Sequence, residues 1–115
     1  MKRTIPPTTG LMPVVAAVLM GVAAPAFGLD ADAAQALAKK SHCTKCHSVD
    51  KKKEGPPYRE TAAKYKGQAD AAQKLFTHLT TSPKVKVDGK EEEHAAVKSK
   101  DEAEIKNLIA YILSQ

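Results

Sequence analysis

One pentapeptide constrains this chain more than any other part of its sequence. Cys43-Thr44-Lys45-Cys46-His47 places two thiols three positions apart and an imidazole directly after the second thiol. Residues three and four apart share one face of a helix, so a single turn can present all three side chains together. The C-x-x-C-H form is the one in which haem is attached covalently, with each thiol bonded to a vinyl group and the histidine bound to iron. The pentapeptide therefore predicts one haem c, attached through Cys43 and Cys46, with His47 as its first iron ligand.

Other uses of a cysteine pair fit the chain less well. The sequence contains only two cysteines, so it has no framework of several disulfides. A structural zinc site needs more thiols or a paired cluster of histidines. A thioredoxin-like redox pair needs a βαβ context, whereas no long alternation of apolar and polar residues predicts a sheet here. One structural disulfide between Cys43 and Cys46 remains the alternative to haem.

The N-terminal segment has the layout of a secretory signal peptide. A basic start with Lys2 is followed by an uncharged apolar stretch over residues 11–24 and then by small residues. This order is typical of an exported chain, with cleavage after Ala26 or after Gly28. We expect the second site, so residues 1–28 are predicted to be removed.

The predicted mature chain is one domain over residues 29–115, located in the periplasm. A retained membrane anchor is the alternative, but Pro13 and Pro25 disfavour a continuous spanning helix, and no span is expected after cleavage.

Removal of Lys2 and Arg3 lowers the formal charge from +5 to +3, and two haem propionates bring it near +1. This balance does not favour nucleic-acid binding. A domain this small also forms only a marginal core, so buried haem should contribute to it.

The mature sequence predicts helices joined by loops. An alanine-rich segment over residues 30–40 favours a first helix that leads into the cysteine motif. A short helix is predicted over 59–65, and a clearer one over 70–80 with an apolar stripe. Residues 84–98 are charged and contain the turn signal Asp88-Gly89, so they are predicted to form an irregular loop.

The C-terminal helix has the strongest pattern. Ser99 and Glu102 have the spacing of a capping box. Apolar residues then recur at i, i+3, i+4 and i+7, namely Ile105, Leu108, Ile109 and Ile112. This stripe must be buried against another element, and the first helix is the expected partner.

Together these features resemble the small bacterial class I cytochromes c. The resemblance rests on the haem motif, Gly-Pro-Pro-Tyr at 55–58, Ala-Ala-Lys-Tyr-Lys-Gly at 62–67 and the helix over 105–115. It implies an all-α fold of about four to five helices wrapped around one haem. It also implies that the carbonyl of Pro56 accepts a hydrogen bond from His47. In such a fold Tyr111 would pack near the first helix and the haem.

The chain departs from that family in its second iron ligand. Most class I members use a methionine, but Met1, Met12 and Met20 all lie in the predicted signal peptide. The family's ligand loop lies between the two C-terminal helices, and His94 occupies that place. We therefore expect bis-histidine ligation by His47 and His94.

Other positions for the second ligand stay open. His42 lies beside Cys43 on the proximal side, and His78 is expected at the haem periphery or bonded to a propionate. Lys98 must lose a proton before it binds iron, which disfavours it near neutral pH. His94 itself could instead belong to a solvated acidic run with the three glutamates before it.

These expectations predict a function without catalysis. Replacing a thioether ligand by imidazole lowers the reduction potential, and two protein ligands leave iron no open site. The predicted protein is a low-potential electron carrier, not an enzyme, that serves periplasmic redox proteins as a monomer or weak dimer. The alternatives are a ligand-binding or sensing haem protein with a displaceable His94, and a cytochrome subunit of a periplasmic oxidoreductase.

Overall fold

The computed structural model describes Gly10 and residues 28–115, so residues 1–9 and 11–27 of the predicted signal peptide lie outside the described residues. Within residues 28–115 there are five helices and one β-hairpin. They are α1 (Ala31–Lys40), α2 (Cys43–Cys46), α3 (Tyr58–Tyr65), α4 (Ala71–Thr80), β1 (Lys84–Val87), β2 (Lys90–Glu93) and α5 (Glu102–Leu113). None of these helices is long and apolar enough to cross a membrane. The mainly helical fold that the sequence predicted is confirmed.

The core forms around α5, which packs against α1, α3 and α4. Its predicted apolar stripe is buried, and Leu108 is fully inaccessible. On α1 the contact face includes Ala34, which is also fully inaccessible. Two hydrogen bonds also join the helices: the side chain of Asn107 accepts from the Asp30 N–H at 3.0 Å and donates to the Asp30 carbonyl at 2.8 Å. The first and last helices are therefore partners, as the stripe predicted.

The helix starts follow side-chain capping, although one cap differs from the prediction. Asp30 caps α1 by accepting from the N–H of Ala33 at 2.9 Å. Asp101, and not Ser99, caps α5 by accepting from the N–H groups of Ala103 and Glu104. The predicted capping box is therefore wrong: the extended backbone at Asp101 places its short carboxylate at the first free N–H groups.

Residues 84–93 form an antiparallel hairpin where the sequence predicted an irregular loop. Asp88 and Gly89 have φ values of 50° and 80°, as a two-residue type I′ turn requires. Lys84 pairs with Glu93, and Val87 pairs with Lys90 at the turn. The turn signal was read correctly, but strands of four charged and apolar residues are too short to give a clear alternation.

Leu108→Ala should lower the free energy of unfolding by about 2–5 kcal/mol, because it leaves a cavity in the packed interior. Denaturant unfolding of the haem-loaded protein would measure this change. Lys106→Ala is the matched control on the same helix: its side chain is 65% exposed, and its ion pair with Glu102 is worth about 0.3–0.5 kcal/mol. Equal losses in the two variants would contradict the assignment of Leu108 to the core.

Candidate haem site

The cysteine motif forms one turn of helix with a break at each end. His42 precedes α2 in the left-handed region at φ 61°, and His47 follows it in extended conformation at φ −123° and ψ 149°. The N–H of His47 still bonds to the carbonyl of Cys43 at 2.9 Å. The turn thus keeps the two thiols on one short helix, and the chain leaves that helix at His47 in extended conformation.

The ring of His47 is held by the proline loop that follows it. Its Nδ1 lies 2.8 Å from the carbonyl oxygen of Pro56, so the hydrogen bond that the family resemblance implies is present. A carbonyl only accepts, so Nδ1 carries the proton and Nε2 keeps its lone pair. Backbone bonds hold the loop in place, from Gly55 N–H to the carbonyl of Cys46 at 2.7 Å and from Tyr58 N–H to that of Ser48 at 2.9 Å.

The loop touches the imidazole closely on its other sides as well. A Cβ at Gly55 would lie 2.7 Å from Nδ1 and 2.9 Å from Nε2 of His47, and nearer still to Cε1, so only glycine fits there. Tyr58 stacks on His47 with ring centroids 5.8 Å apart and an interplanar angle of 21°. Tyr111 in turn meets Tyr58 edge-on at 6.2 Å. The ring of His47 is therefore fixed in both position and orientation.

The two thiols are free and have different surroundings. Cys43 is half-buried and packs against the hydrophobic core. Burial is the main cause that raises the pKa of its thiol. Cys46 donates a hydrogen bond to the carboxylate of Glu54 at 3.3 Å, and this bond is the main cause that raises its pKa. Neither thiol is paired with the other, so the structure does not contain the disulfide that was the alternative.

Two further histidines, His78 and His94, lie near His47. The ring centroid of His94 is 6.1 Å from that of His47, with an interplanar angle of 50°. The ring of His78, on α4, lies 4.2 Å from that of His94. Burial is the main cause that lowers the pKa of both; His47 and Lys64 add to it for His78, and His78 and His47 add to it for His94. For His94 the backbone of Ala95 partly opposes this shift, yet its buried Nδ1 has no hydrogen-bond partner.

Backbone bonds hold the segment around His94 on both sides. The N–H of His94 bonds to the carbonyl of Pro83 at 2.8 Å, which extends the hairpin ladder by one pair. The N–H of Val97 bonds to the carbonyl of Leu79 on α4 at 2.9 Å, and Val97 is buried. The chain at His94 is therefore attached both to the hairpin and to α4.

The other candidates for the second iron ligand, His42 and Lys98, contact each other. His42 is exposed, and its Nε2 accepts from Nζ of Lys98 at 3.0 Å, so these two side chains pair with each other. The N–H of Lys98 also bonds to the buried hydroxyl of Ser41 at 2.8 Å.

Tyr58 was not singled out from the sequence as a neighbour of His47. Its position after Gly-Pro-Pro was visible, but the stacking depends on how the loop returns.

Within residues 28–115 there is no cluster of three or more histidine, cysteine or acidic side chains suited to hold a metal ion. Two facing imidazoles instead suit a metal that brings its other ligands with it, as porphyrin iron does with four ring nitrogens. The two free thiols one helical turn apart suit attachment of the porphyrin itself. The donor set therefore fits haem.

The sequence profile of the family described as Cytochrome c matches residues 31–115. The chain belongs to the cytochrome c family. Its match covers nearly the whole described part of the chain, and the C-x-x-C-H spacing lies inside it. This cytochrome carries one covalently bound haem c.

Several relatives resemble parts of this cytochrome. Cytochrome c-551 of Allochromatium vinosum is 49% identical over 43 residues, which are 37% of this chain and 46% of that protein. Cytochrome c-551 of Pseudomonas aeruginosa is 39% identical over 54 residues, which are 47% of this chain and 52% of that protein. These alignments span about half the length of the curated relatives.

Solved structures match a larger share of this chain than the curated relatives do. The class 1 cytochrome MtoD from Sideroxydans lithotrophicus ES-1 is 49% identical, with a TM-score of 0.73 over 76% of this chain and 97% of that chain. Cytochrome c552 of Nitrosomonas europaea is 32% identical, with a TM-score of 0.55 over 74% of this chain and 98% of that chain. The class I fold that the sequence predicted is confirmed.

Gly55→Ala should displace the ring of His47, because the added methyl group overlaps it. We expect a lower yield of haem-loaded protein and an altered ferric absorption spectrum. Gly67→Ala is the control, since Gly67 has space around it but a φ of 78°. That change should cost about 1–2 kcal/mol of stability through backbone strain and leave the spectrum unchanged. A normal spectrum in Gly55→Ala would show that the contact is not restrictive.

Tyr58→Phe should not destabilise the protein at neutral pH, because the buried hydroxyl of Tyr58 has no hydrogen-bond partner. Burial raises the pKa of this tyrosine to about 12, whereas its unfolded value is 10.0. Between these values the unfolded chain ionises first, so stability present below about pH 10 is lost as pH rises toward 12. Phenylalanine removes that loss, which urea unfolding at about pH 7 and pH 11 would measure. A clear loss of stability at pH 7 would instead indicate a partner for the hydroxyl in the haem-loaded protein.

Proposed function

We propose that this protein is a periplasmic monohaem electron carrier in which His47 and His94 bind the two axial positions of iron. Cys43 and Cys46 form the thioether bonds, and Pro56 orients the proximal ring. The observation that carries the proposal is the 6.1 Å separation of the two imidazole rings, with an interplanar angle of 50°. No methionine is available in residues 29–115 to take the second position.

The separation suits one metal ion between the rings. A metal–imidazole bond takes about 2 Å on each side, and the half-widths of the two rings supply most of the remaining distance. His47 already has Nδ1 engaged with Pro56, so its Nε2 is the nitrogen left for iron.

Attachment of the backbone on both sides favours His94 over the alternatives. A side chain in a solvated acidic run would not be followed by a buried Val97 bonded to α4. The ring of His78 packs on that of His94, at 4.2 Å. Lys98 is engaged with His42. Among the candidate ligands, His94 is the one whose ring lies against that of His47, at 6.1 Å.

Bis-histidine ligation favours the ferric state relative to histidine–methionine ligation, so the reduction potential is expected to be low. With both axial positions bound by protein, electrons reach iron through the porphyrin edge and no substrate binds the metal. Periplasmic redox proteins are the expected donor and acceptor. The exposed lysines near the haem motif, including Lys45, Lys51 and Lys52, offer a basic rim for a small and transient docking contact.

A second candidate function is reversible binding of a small ligand at iron. The observation that favours it is the difference between the two rings: Nδ1 of His47 is bonded to Pro56, whereas Nδ1 of His94 is buried without a partner. A ligand without such support is held less firmly. In that case carbon monoxide would displace His94 from the ferrous protein.

His94→Ala should convert the haem from low spin to high spin and let the ferrous form bind carbon monoxide, because iron loses one axial ligand. His78→Ala should leave both properties unchanged. Absorption spectra of the two purified variants, with and without carbon monoxide, measure the result. The opposite pattern would assign the ligand to His78.

The unmodified protein separates the two candidate functions. An electron carrier with firm bis-histidine ligation shows no spectral change when carbon monoxide is added to its ferrous form. A rapid and complete change would favour ligand binding. The near-infrared spectrum of the ferric form gives an independent check, since pairs of axial ligands differ there.

A further inference from the structure

The β-hairpin has two chemically different faces. Successive residues of a strand point to opposite sides, so the pairing register assigns each residue to a face. One face, here called the outer face, consists of Lys84, Lys86, Glu91 and Glu93. The other, called the inner face, consists of Val85, Val87, Lys90 and Glu92. The valines are thus collected on one side of the hairpin.

The inner face is the one that continues into His94. The bond from His94 N–H to the carbonyl of Pro83 extends the ladder by one pair, so the alternation continues past Glu93. Glu92 and His94 are two positions apart and therefore share a face. Since the ring of His94 lies 6.1 Å from that of His47, the inner face is turned toward His47.

Burial in β1 agrees with this orientation, whereas all four residues of β2, Glu92 included, are exposed. Val85 and Val87 are half-buried, whereas Lys84 and Lys86 on the outer face are exposed. The two valines do not belong to the hydrophobic core or to the apolar residues packed against it. They therefore form a separate apolar surface beside the two histidines, at a place where an apolar porphyrin can cover it.

Glu92 brings a carboxylate to this surface that forms no ion pair within residues 28–115, although Lys90 lies on the same face. The ion pairs found in residues 28–115 are Lys74–Asp70 and Lys106–Glu102, and neither involves the hairpin. Glu54 is the main cause of the raised pKa of the Cys46 thiol, and the charge of Glu92 adds to it. The charge of Glu92 therefore acts electrostatically on Cys46, which is one of the two haem attachment points.

We propose that the inner face of the hairpin covers one edge of the haem and that Glu92 sets the reduction potential through its charge. This inference rests on the proposed role of His94. Ferric haem carries one more positive charge than ferrous haem, so a nearby carboxylate favours the ferric form and lowers the potential. Glu92 is thus a residue that tunes electron transfer without contacting iron.

The test measures reduction potentials of the haem-loaded protein at low ionic strength. Glu92→Gln should raise the potential, and Glu92→Lys should raise it further, since it reverses the charge. Glu91→Gln is the matched control: it lies on the same strand, causes the same change in net charge and points outward. We expect the shift in Glu92→Gln to be at least about twice that in Glu91→Gln, with the difference decreasing as salt screens the charges. Equal shifts, or none, would overturn the proposed role of Glu92.

A second pair of substitutions tests the cover. Val85→Thr with Val87→Thr keeps β-branched side chains in the strand but makes the inner face polar. More water at the haem edge favours the charged ferric form, so the potential should fall while the absorption spectrum stays low spin. An unchanged potential would show that the inner face does not cover the haem. The His94→Ala variant tests the axial ligand independently. If that variant becomes high spin as expected but the hairpin variants leave the potential unchanged, only this inference is overturned.

Discussion

The hydrogen bond between Nδ1 of His47 and the carbonyl of Pro56 is the contact on which the arrangement of the site depends. It decides which nitrogen of the ring is free for iron, because the proton must lie on the bonded nitrogen. It also connects the one-turn helix of the cysteines to the proline loop. Gly55 allows the loop to approach this closely, and Tyr58 adds a stacked ring on the neighbouring side.

The distal side has a different construction. His94 is positioned by its backbone, through the ladder bond to Pro83 and the bond from Val97 to α4, while its own Nδ1 has no partner. The proximal ring is thus fixed by side-chain and loop contacts, and the distal ring by the elements before and after it. In our proposal this difference makes His94 the more easily replaced of the two ligands, and it places the hairpin beside the haem.

Much of this arrangement could be predicted from the sequence, because the signals were local or periodic. The C-x-x-C-H spacing indicated the haem motif, and the stripe from Ile105 to Ile112 indicated the buried face of α5. The start of α5 was misassigned because Ser99 and Asp101 are both suitable N-cap residues two positions apart. The hairpin was missed because its two short strands carry mainly charged residues.

Contacts between distant segments were the part that sequence reasoning could not supply. The stacking of Tyr58 on His47 and the packing of His78 against His94 depend on how loops return to the haem motif, and no periodicity encodes that return. The family resemblance supplied the Pro56 contact. It supplied nothing for the hairpin, since the resemblance rested on segments outside it.

The hairpin ladder also limits how the length of this segment can change during evolution. His94 continues the alternation of β2, so the insertion or deletion of one residue within that strand would turn its imidazole to the outer face. Changes of two residues, shared by both strands, would preserve the side on which the ring lies. Among relatives that keep a histidine here, we therefore expect hairpins whose strands differ in length by even numbers, a rule of parity imposed by the pleat.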